Sequence, residues 1–203
     1  MKQILIATRN PGKLHELSNF LSEDMPVECV SLTDLNINDE TIEDGKNYYE
    51  NSKKKALFYA KLSNMPTIAD DAGIEIDALG GEPGHKARRW TGKDATDEEL
   101  IAHMEKVIKT LPDDNMGARY KAVLTLGLPD GRYFQAEGVE EGILSREKAA
   151  RIMPGYPYDA FFVAKATNRH YHDDLSQDAQ KRYNHRYRAL EKLKPIIKRV
   201  LEL

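Results

Sequence analysis

Several short runs hold most of the side chains able to do chemistry. Thr8-Arg9-Asn10-Pro11-Gly12-Lys13 is a polar turn between an apolar stretch, Gln3 to Thr8, and a segment with apolar residues at Leu14, Leu17 and Leu21. A turn from strand to helix presents backbone N–H groups at the positive end of the helix dipole, which suits an anion. Lys13 adds a full charge there, and Thr8 and Asn10 add short hydrogen-bonding side chains. The spacing of a Walker phosphate loop is absent, so the alternative of a turn without a ligand stands beside the anion reading.

Asp70-Asp71 is the second such run, hemmed by Ala69, Ala72 and Gly73. Two adjacent carboxylates at a strand end cannot both enter a core without a large desolvation cost. Holding Mg2+, or activating water at a phosphate, would justify them, whereas the plain alternative is an exposed acidic turn. Glu43, Asp44 and Glu50 are able to join Asp71 around a divalent cation, with Lys53, Lys54 and Lys55 close by for phosphates. Glu50 and Lys54 also have the spacing of a simple helical ion pair. Tyr156-Pro157-Tyr158-Asp159 sets two aromatic faces beside a carboxylate, suited to a base and its exocyclic groups, or else to packing beside Phe161 and Phe162. His170-Tyr171-His172-Asp173-Asp174 has alternate residues able to share a metal, though a polar loop is the preferred reading. His185-Arg186 opens the last helix. A phosphate turn, a carboxylate pair, an aromatic platform and a basic helix start form the set that a triphosphate-cleaving site needs.

The elements that must position these residues are mixed. The spacing predicts a strand over residues 3–8, a helix after Gly12, a second strand within 27–35, and a polar loop over 34–45. Asn47 and Glu50 resemble a capping box opening a helix to about Leu62. A short strand over 67–69 is expected to end at the Asp pair, and Ile74, Ile76 and Ala78 suggest another. Residues 80–84, rich in glycine and proline, read as a loop. Thr96 and Glu99 form a clear capping box before Leu100, Ile101, Met104, Val107 and Ile108. Tyr120, Ala122, Leu124, Leu126 and Leu128 alternate before Pro129-Asp130-Gly131, which predicts a hairpin returning over 132–144. Residues 161–164 read as a buried strand. The last helix starts near His185 and carries Leu190, Leu193, Ile197 and Val200, with a bend expected at Pro195. The fold class is therefore α/β or α+β with a mixed sheet, in a single domain over 1–203 without a linker.

Composition sets bounds. With 203 residues, 40% apolar and 31% charged, the chain can bury a sizeable core. No apolar run approaches the ~20 residues that span a bilayer. Cys29 is the sole cysteine, which excludes an internal disulfide and a cysteine zinc cage. These features point to the cytoplasm. A net charge of −3 argues against a protein that coats nucleic acid. The basic residues of the last quarter, Lys181, Arg182, Arg186, Arg188, Lys192, Lys194, Lys198 and Arg199, read mainly as a solvated helix face.

Taken in order, the motifs resemble the inosine/xanthosine triphosphate pyrophosphatases, the Ham1 family. They are Ala7-Thr8-x-Asn10-x-Gly12-Lys13, Glu50-Asn51 with Lys55-Ala56, Ala69-Asp70-Asp71-x-Gly73, and Ala78-Leu79-Gly80-Gly81-x-Pro83-Gly84. Arg89, Gly92, Ala95-Thr96-Asp97, His185-Arg186 and Ala189-Leu190 complete the set. The resemblance implies an elongated mixed sheet with two lobes around a nucleotide-binding cleft, commonly in a homodimer. It implies Mg2+-dependent attack of water at the α-phosphorus of ITP, dITP or XTP, giving a monophosphate and pyrophosphate. By the same token Thr8, Arg9, Asn10, Pro11, Gly12, Lys13 and Lys55 would hold phosphates. Asp71 would be the general base or metal-holding carboxylate, with Glu43 a further metal ligand. Ala72, Tyr156, Pro157, Tyr158, Asp159, Lys181, His185 and Arg186 would complete the substrate site, Tyr156 stacking on the base and Asp159, His185 and Arg186 reading the purine edge at position 6.

The chain departs from the family's usual Gly-Phe-Gly-Tyr-Asp-Pro at Gly155-Tyr156-Pro157-Tyr158-Asp159-Ala160. Asn184 and Ala72 stand where serines are usual, and Gln180, next to Lys181, where a lysine is usual. Two other readings follow: a pyrophosphatase for a different modified nucleotide, as in the related Maf-like enzymes, and a nucleotide-binding module without turnover.

Overall fold

The computed structural model describes residues 1–170, 181 and 183–203. Strand β1 (Lys2–Ile6) is buried from Ile4 onward and pairs in parallel with β2 (Val27–Ser31) on one side and with β3 (Thr67–Ile76) on the other. Helix α1 (Pro11–Asp24) links β1 to β2, and α2 (Tyr48–Ser63) links β2 to β3. These helical crossovers are what parallel pairing requires. Helix α3 (Asp97–Thr110) then precedes β4 (Gly117–Gly127), and β5 (Tyr133–Leu144) returns after a turn closed by Gly131 N–H to the Leu128 carbonyl, 3.0 Å. Short strands β6 (Phe162–Ala164) and β7 (Arg169–His170) continue antiparallel to their neighbours, and helix α4 (His185–Leu201) runs through Pro195. Among the described residues the strands form one mixed sheet in the order β2-β1-β3-β4-β5-β6-β7. This is the expected mixed α/β class.

The chain packs as two compact units. One comprises Met1–Asp71, Ala122–Gly138 and Arg186–Leu203; the other comprises Ala72–Lys121 and Val139–His185. The core of the first unit joins Ile4, Ile6, Leu17, Leu21 and Ile68 to Leu124, Leu126, Leu190, Leu193 and Ile197. That of the second joins Ile74, Ile76, Leu100, Met104, Tyr158, Phe161 and Phe162.

Capping defines the helix starts. The Thr96 side chain accepts from Glu99 N–H while Glu99 accepts from Thr96 N–H, so the predicted box at α3 is complete. At α2 the box is only half formed: Asn47 accepts from Glu50 N–H, but the Glu50 carboxylate turns to Lys46 N–H. Glu50 therefore makes no helical pair with Lys54, whose ammonium sits on Asp44.

The main departure from the sequence expectation is β3. A break was expected at Asp70-Asp71, yet the strand runs unbroken from Thr67 through Gly73 to Ile76. Alternation along a strand sends Asp70 and Asp71 to opposite faces, so each acquires its own cationic partners, and neither interrupts the ladder.

Candidate active site

Asp70 is fully buried as a side chain, and two cations hold it. Lys13 Nζ lies 3.3 Å from Oδ1, and Arg186 Nε donates to Oδ2 at 2.6 Å. Arg186, itself 5% exposed, also reaches Glu16 at 3.1 Å. Burial pushes the Asp70 carboxyl up, but the attraction of Lys13, Arg186 and Lys55 exceeds it and holds the group well below the usual carboxylate range. Burial is likewise the main reason that the Lys13 ammonium falls below its ordinary value, with Arg186 and Lys55 adding to the effect.

Asp71 faces a different set. Lys55 Nζ lies 3.5 Å from its Oδ1 and 3.2 Å from Glu43 Oε1, and Asn51 Nδ2 donates to Asp71 Oδ2 at 3.2 Å. Here burial wins: the Asp71 carboxyl is raised, with Glu43 and Asp70 adding to the rise and Lys55 and Lys13 opposing it. Burial also opposes the Lys55 charge, but Asp71, Glu43 and Asp70 together raise it. Asn51 and Lys55 lie one turn apart on α2, which brings both to the same carboxylate. The Asn51 side-chain oxygen accepts from Gly45 N–H at 2.7 Å, so this one buried amide ties the loop carrying Glu43 to Asp71.

The turn at 8–13 is arranged differently from the sequence expectation. Asn10 caps α1, accepting from Gly12 N–H at 2.9 Å and Lys13 N–H at 3.1 Å, and Leu14 N–H bonds the Asn10 carbonyl. Pro11 has no N–H. The first-turn donors expected to be free for an anion are thus satisfied internally, and positive charge at this turn comes from Lys13. The Thr8 hydroxyl accepts from Asn10 N–H at 3.2 Å. Arg9 turns away to the 37–40 segment, donating to the Asp39 carbonyl at 3.0 Å and pairing with Glu40 at 3.4 Å. It anchors that loop in this structure.

The second unit gathers the base-side candidates. The Tyr120 hydroxyl donates to Asp159 Oδ1 at 2.6 Å, and the Tyr120 ring stacks on His185, centroids 5.2 Å apart and planes 16° from parallel. Pro157, Tyr158 and Asp159 form a buried 3₁₀ turn, Pro157–Ala160, while Tyr156 just before it is only partly buried. Tyr158 is a core residue: its hydroxyl donates to the Ala87 carbonyl at 2.6 Å, and burial raises its pKa. Tyr158 thus packs in the core of the second unit, as the packing alternative had it. Arg186, expected beside Asp159 and His185 at the purine edge, belongs to the Asp70 cluster of the first unit. Ala72 and Lys181 are partly buried. His170 ends β7, and the rest of the run to Asp174, like Gln180, lies outside the described residues.

Sequence reasoning missed Asn51 as a carboxylate partner, Glu16 as a partner of Arg186, and Tyr120. The signals available were slight: the i, i+4 spacing of Asn51 and Lys55, and a lone hydroxyl-bearing ring in an otherwise aliphatic alternation on β4. Among the described residues no cluster of three or more His, Cys, Asp or Glu is spaced to hold a metal by itself. The chemistry of Glu43 and Asp71 nevertheless fits Mg2+, a hard ion that takes one or two carboxylates and fills its remaining positions with water and substrate oxygen.

A mixed parallel and antiparallel sheet, whose third strand offers a carboxylate pair to lysines from two helices, defines a phosphate-handling α/β protein. The chain belongs to the Ham1 family, whose model matches residues 4–196. It is 36% identical over 200 residues to a dITP/XTP pyrophosphatase of Syntrophobacter fumaroxidans, covering 98% of this chain and 83% of that one. The dITP/XTP pyrophosphatase of Escherichia coli is 34% identical over 195 residues, covering 95% and 96%. A solved HAM1 protein of Coxiella burnetii superposes with a TM-score of 0.81 at 29% identity, covering 98% of this chain and 100% of that one.

Proposed function

We propose that the protein hydrolyses non-standard purine nucleoside triphosphates, ITP, dITP and XTP, to the monophosphate and pyrophosphate, clearing deaminated purines from the nucleotide pool. The observation that carries this reading is the contrast between adjacent carboxylates. Asp70 is saturated by Lys13 and Arg186, whereas Asp71, with its raised pKa, sits beside Lys55 and Glu43. A base needs a proton affinity nearer the working pH than an ordinary carboxylate has, and Asp71 moves in that direction. The names of the relatives above agree with the substrate class.

In this reading Asp71 accepts a proton from the water whose oxygen attacks the α-phosphorus. The bond from that phosphorus to the bridging oxygen breaks, and pyrophosphate leaves with the bonding electron pair. Lys13 and Lys55 neutralise phosphate charge, and Asn51 holds Asp71 in one orientation. Glu43 would hold Mg2+, with a metal-holding Asp71 as the alternative to its role as base; the ion supplies charge neutralisation and polarisation at the phosphoryl oxygens when bound. Tyr156 would stack on the base, with Asp159 and His185 at its edge. A cytoplasmic homodimer completes the proposal.

Pyrophosphate release from ITP, dITP, XTP and the common triphosphates, with and without Mg2+, tests it. Preference for the deaminated purines supports the reading. The buried Pro157 turn favours one second reading, a different modified nucleotide, which a Mg2+-dependent preference outside this set would select. No release from any of these substrates overturns the catalytic assignment.

A further inference from the structure

Tyr120 ties together three segments that are far apart in sequence: strand β4, the 3₁₀ turn Pro157–Ala160 and the start of α4. Its hydroxyl donates to Asp159 Oδ1 at 2.6 Å. Its ring lies nearly parallel to His185, and Phe162 contacts it at a centroid distance of 4.5 Å and 54°. Both Asp159 and His185 are buried. A buried tyrosine needs only some acceptor for its hydroxyl, and Tyr158 in the same turn uses a backbone carbonyl. Tyr120 instead engages the two ionisable groups assigned to the base.

We propose that Tyr120 is a specificity-determining positioning residue, which keeps Asp159 an acceptor-only group and sets the plane of His185, so that the pair favours a 6-oxopurine over adenine. The inference rests on the proposal that Asp159 and His185 face the base edge. An ionised carboxylate only accepts hydrogen bonds, and a donor already aimed at one of its oxygens favours that ionised form. A 6-oxopurine carries a hydrogen on N1 that such a group can accept. Adenine presents a lone pair at N1, which would face the carboxylate unpaired.

The test measures kcat and KM for ITP and ATP in the wild type, Tyr120→Phe, Asp159→Asn and the double variant, each checked for folding by thermal melting. Tyr120→Phe keeps the ring and removes the donor. It should lower the ITP-to-ATP ratio of kcat/KM by roughly ten- to a hundredfold, mainly through KM for ITP. Asp159→Asn should lower the ratio at least as far, and the double variant should add little, since the hydroxyl acts through the carboxylate. An unchanged ratio in Asp159→Asn overturns the base-edge assignment itself. A lowered ratio in Asp159→Asn with an unchanged one in Tyr120→Phe, or fully additive effects, overturns the role of Tyr120 alone. If Tyr120→Phe fails to fold, a fluorotyrosine placed at position 120 alone keeps the volume and changes the donor strength. The ratio should then shift, and an unchanged ratio overturns the proposal.

Discussion

Two neighbouring aspartates of one strand end up with opposite chemistry because a strand turns successive side chains to opposite faces. Asp71→Asn keeps shape and removes charge, so it should lower pyrophosphate release by roughly a hundredfold or more while leaving the melting temperature nearly unchanged. Activity close to wild type would remove Asp71 from its role. Asp70→Asn should behave in the opposite sense: it strands Lys13 and Arg186 and should cost about 3–5 kcal/mol of stability, read by urea unfolding. The signs with pH follow. Asp70 is held low in the fold, so its stabilisation is complete above the unfolded carboxylate value and fades as pH falls toward the folded one. Asp71 is raised, so it takes up its proton first and weighs against the fold only above the ordinary carboxylate range. Activity should therefore fall in acid before the protein unfolds; coincident loss of both would contradict the separate roles. The pair itself was legible in the sequence, but its division of labour was not. That division depends on Lys13, Asn51, Lys55 and Arg186, and no local pattern links Asp70 to a residue 116 positions away.

At the scale of elements, legibility followed local signals. The complete capping box at Thr96, the alternation through Tyr120 to Leu128 and the apolar spacing after Gly12 each marked an element the structure contains. β3 was read as broken because Asp-Asp and Gly73 look like loop residues until their partners are known, and the two-residue β7 carried no signal. Helix α2 is the element on which the site depends most, since it carries Asn51 and Lys55. It packs directly on β4 at Gly127, where an added Cβ would come within 2.8 Å of the Ala56 backbone. Gly127→Ala should cost about 1–3 kcal/mol by overpacking and, by displacing α2, lower kcat as well. Calorimetry and the pyrophosphate assay together check this; wild-type values in both would mean that α2 relaxes without disturbing Lys55.

Over the whole molecule the charge pattern decides what can be bound. Among the described basic residues of the last quarter, Arg188, Lys192, Lys198 and Arg199 are exposed, in keeping with a mainly solvated face, whereas Arg186 and Lys194 are buried. Lys194 pairs with Asp24 and Glu191, Lys192 donates to the Glu137 carbonyl at 2.7 Å, and Arg186 is taken up by Asp70 and Glu16. Within the candidate site Lys13, Lys55 and Arg186 face Glu16, Glu43, Asp70 and Asp71, three positive groups against four carboxylates, one negative charge in excess. Such a site cannot neutralise a triphosphate unaided, because every cation in it already answers a carboxylate, and an added polyanion would meet net repulsion. In the proposed reading, a divalent cation held by Glu43 or Asp71, the two carboxylates that share Lys55, would reverse that balance. Chelation by EDTA should therefore abolish pyrophosphate release, and Mg2+ should restore it. The melting curve should stay nearly in place, because the carboxylates keep their lysine and arginine partners without the metal. Glu43→Gln should raise the Mg2+ concentration needed for half-maximal activity. Full activity in EDTA would show that the lysines alone carry the phosphate charge, whereas an unchanged Mg2+ requirement in Glu43→Gln would show that Glu43 serves only to hold Lys55.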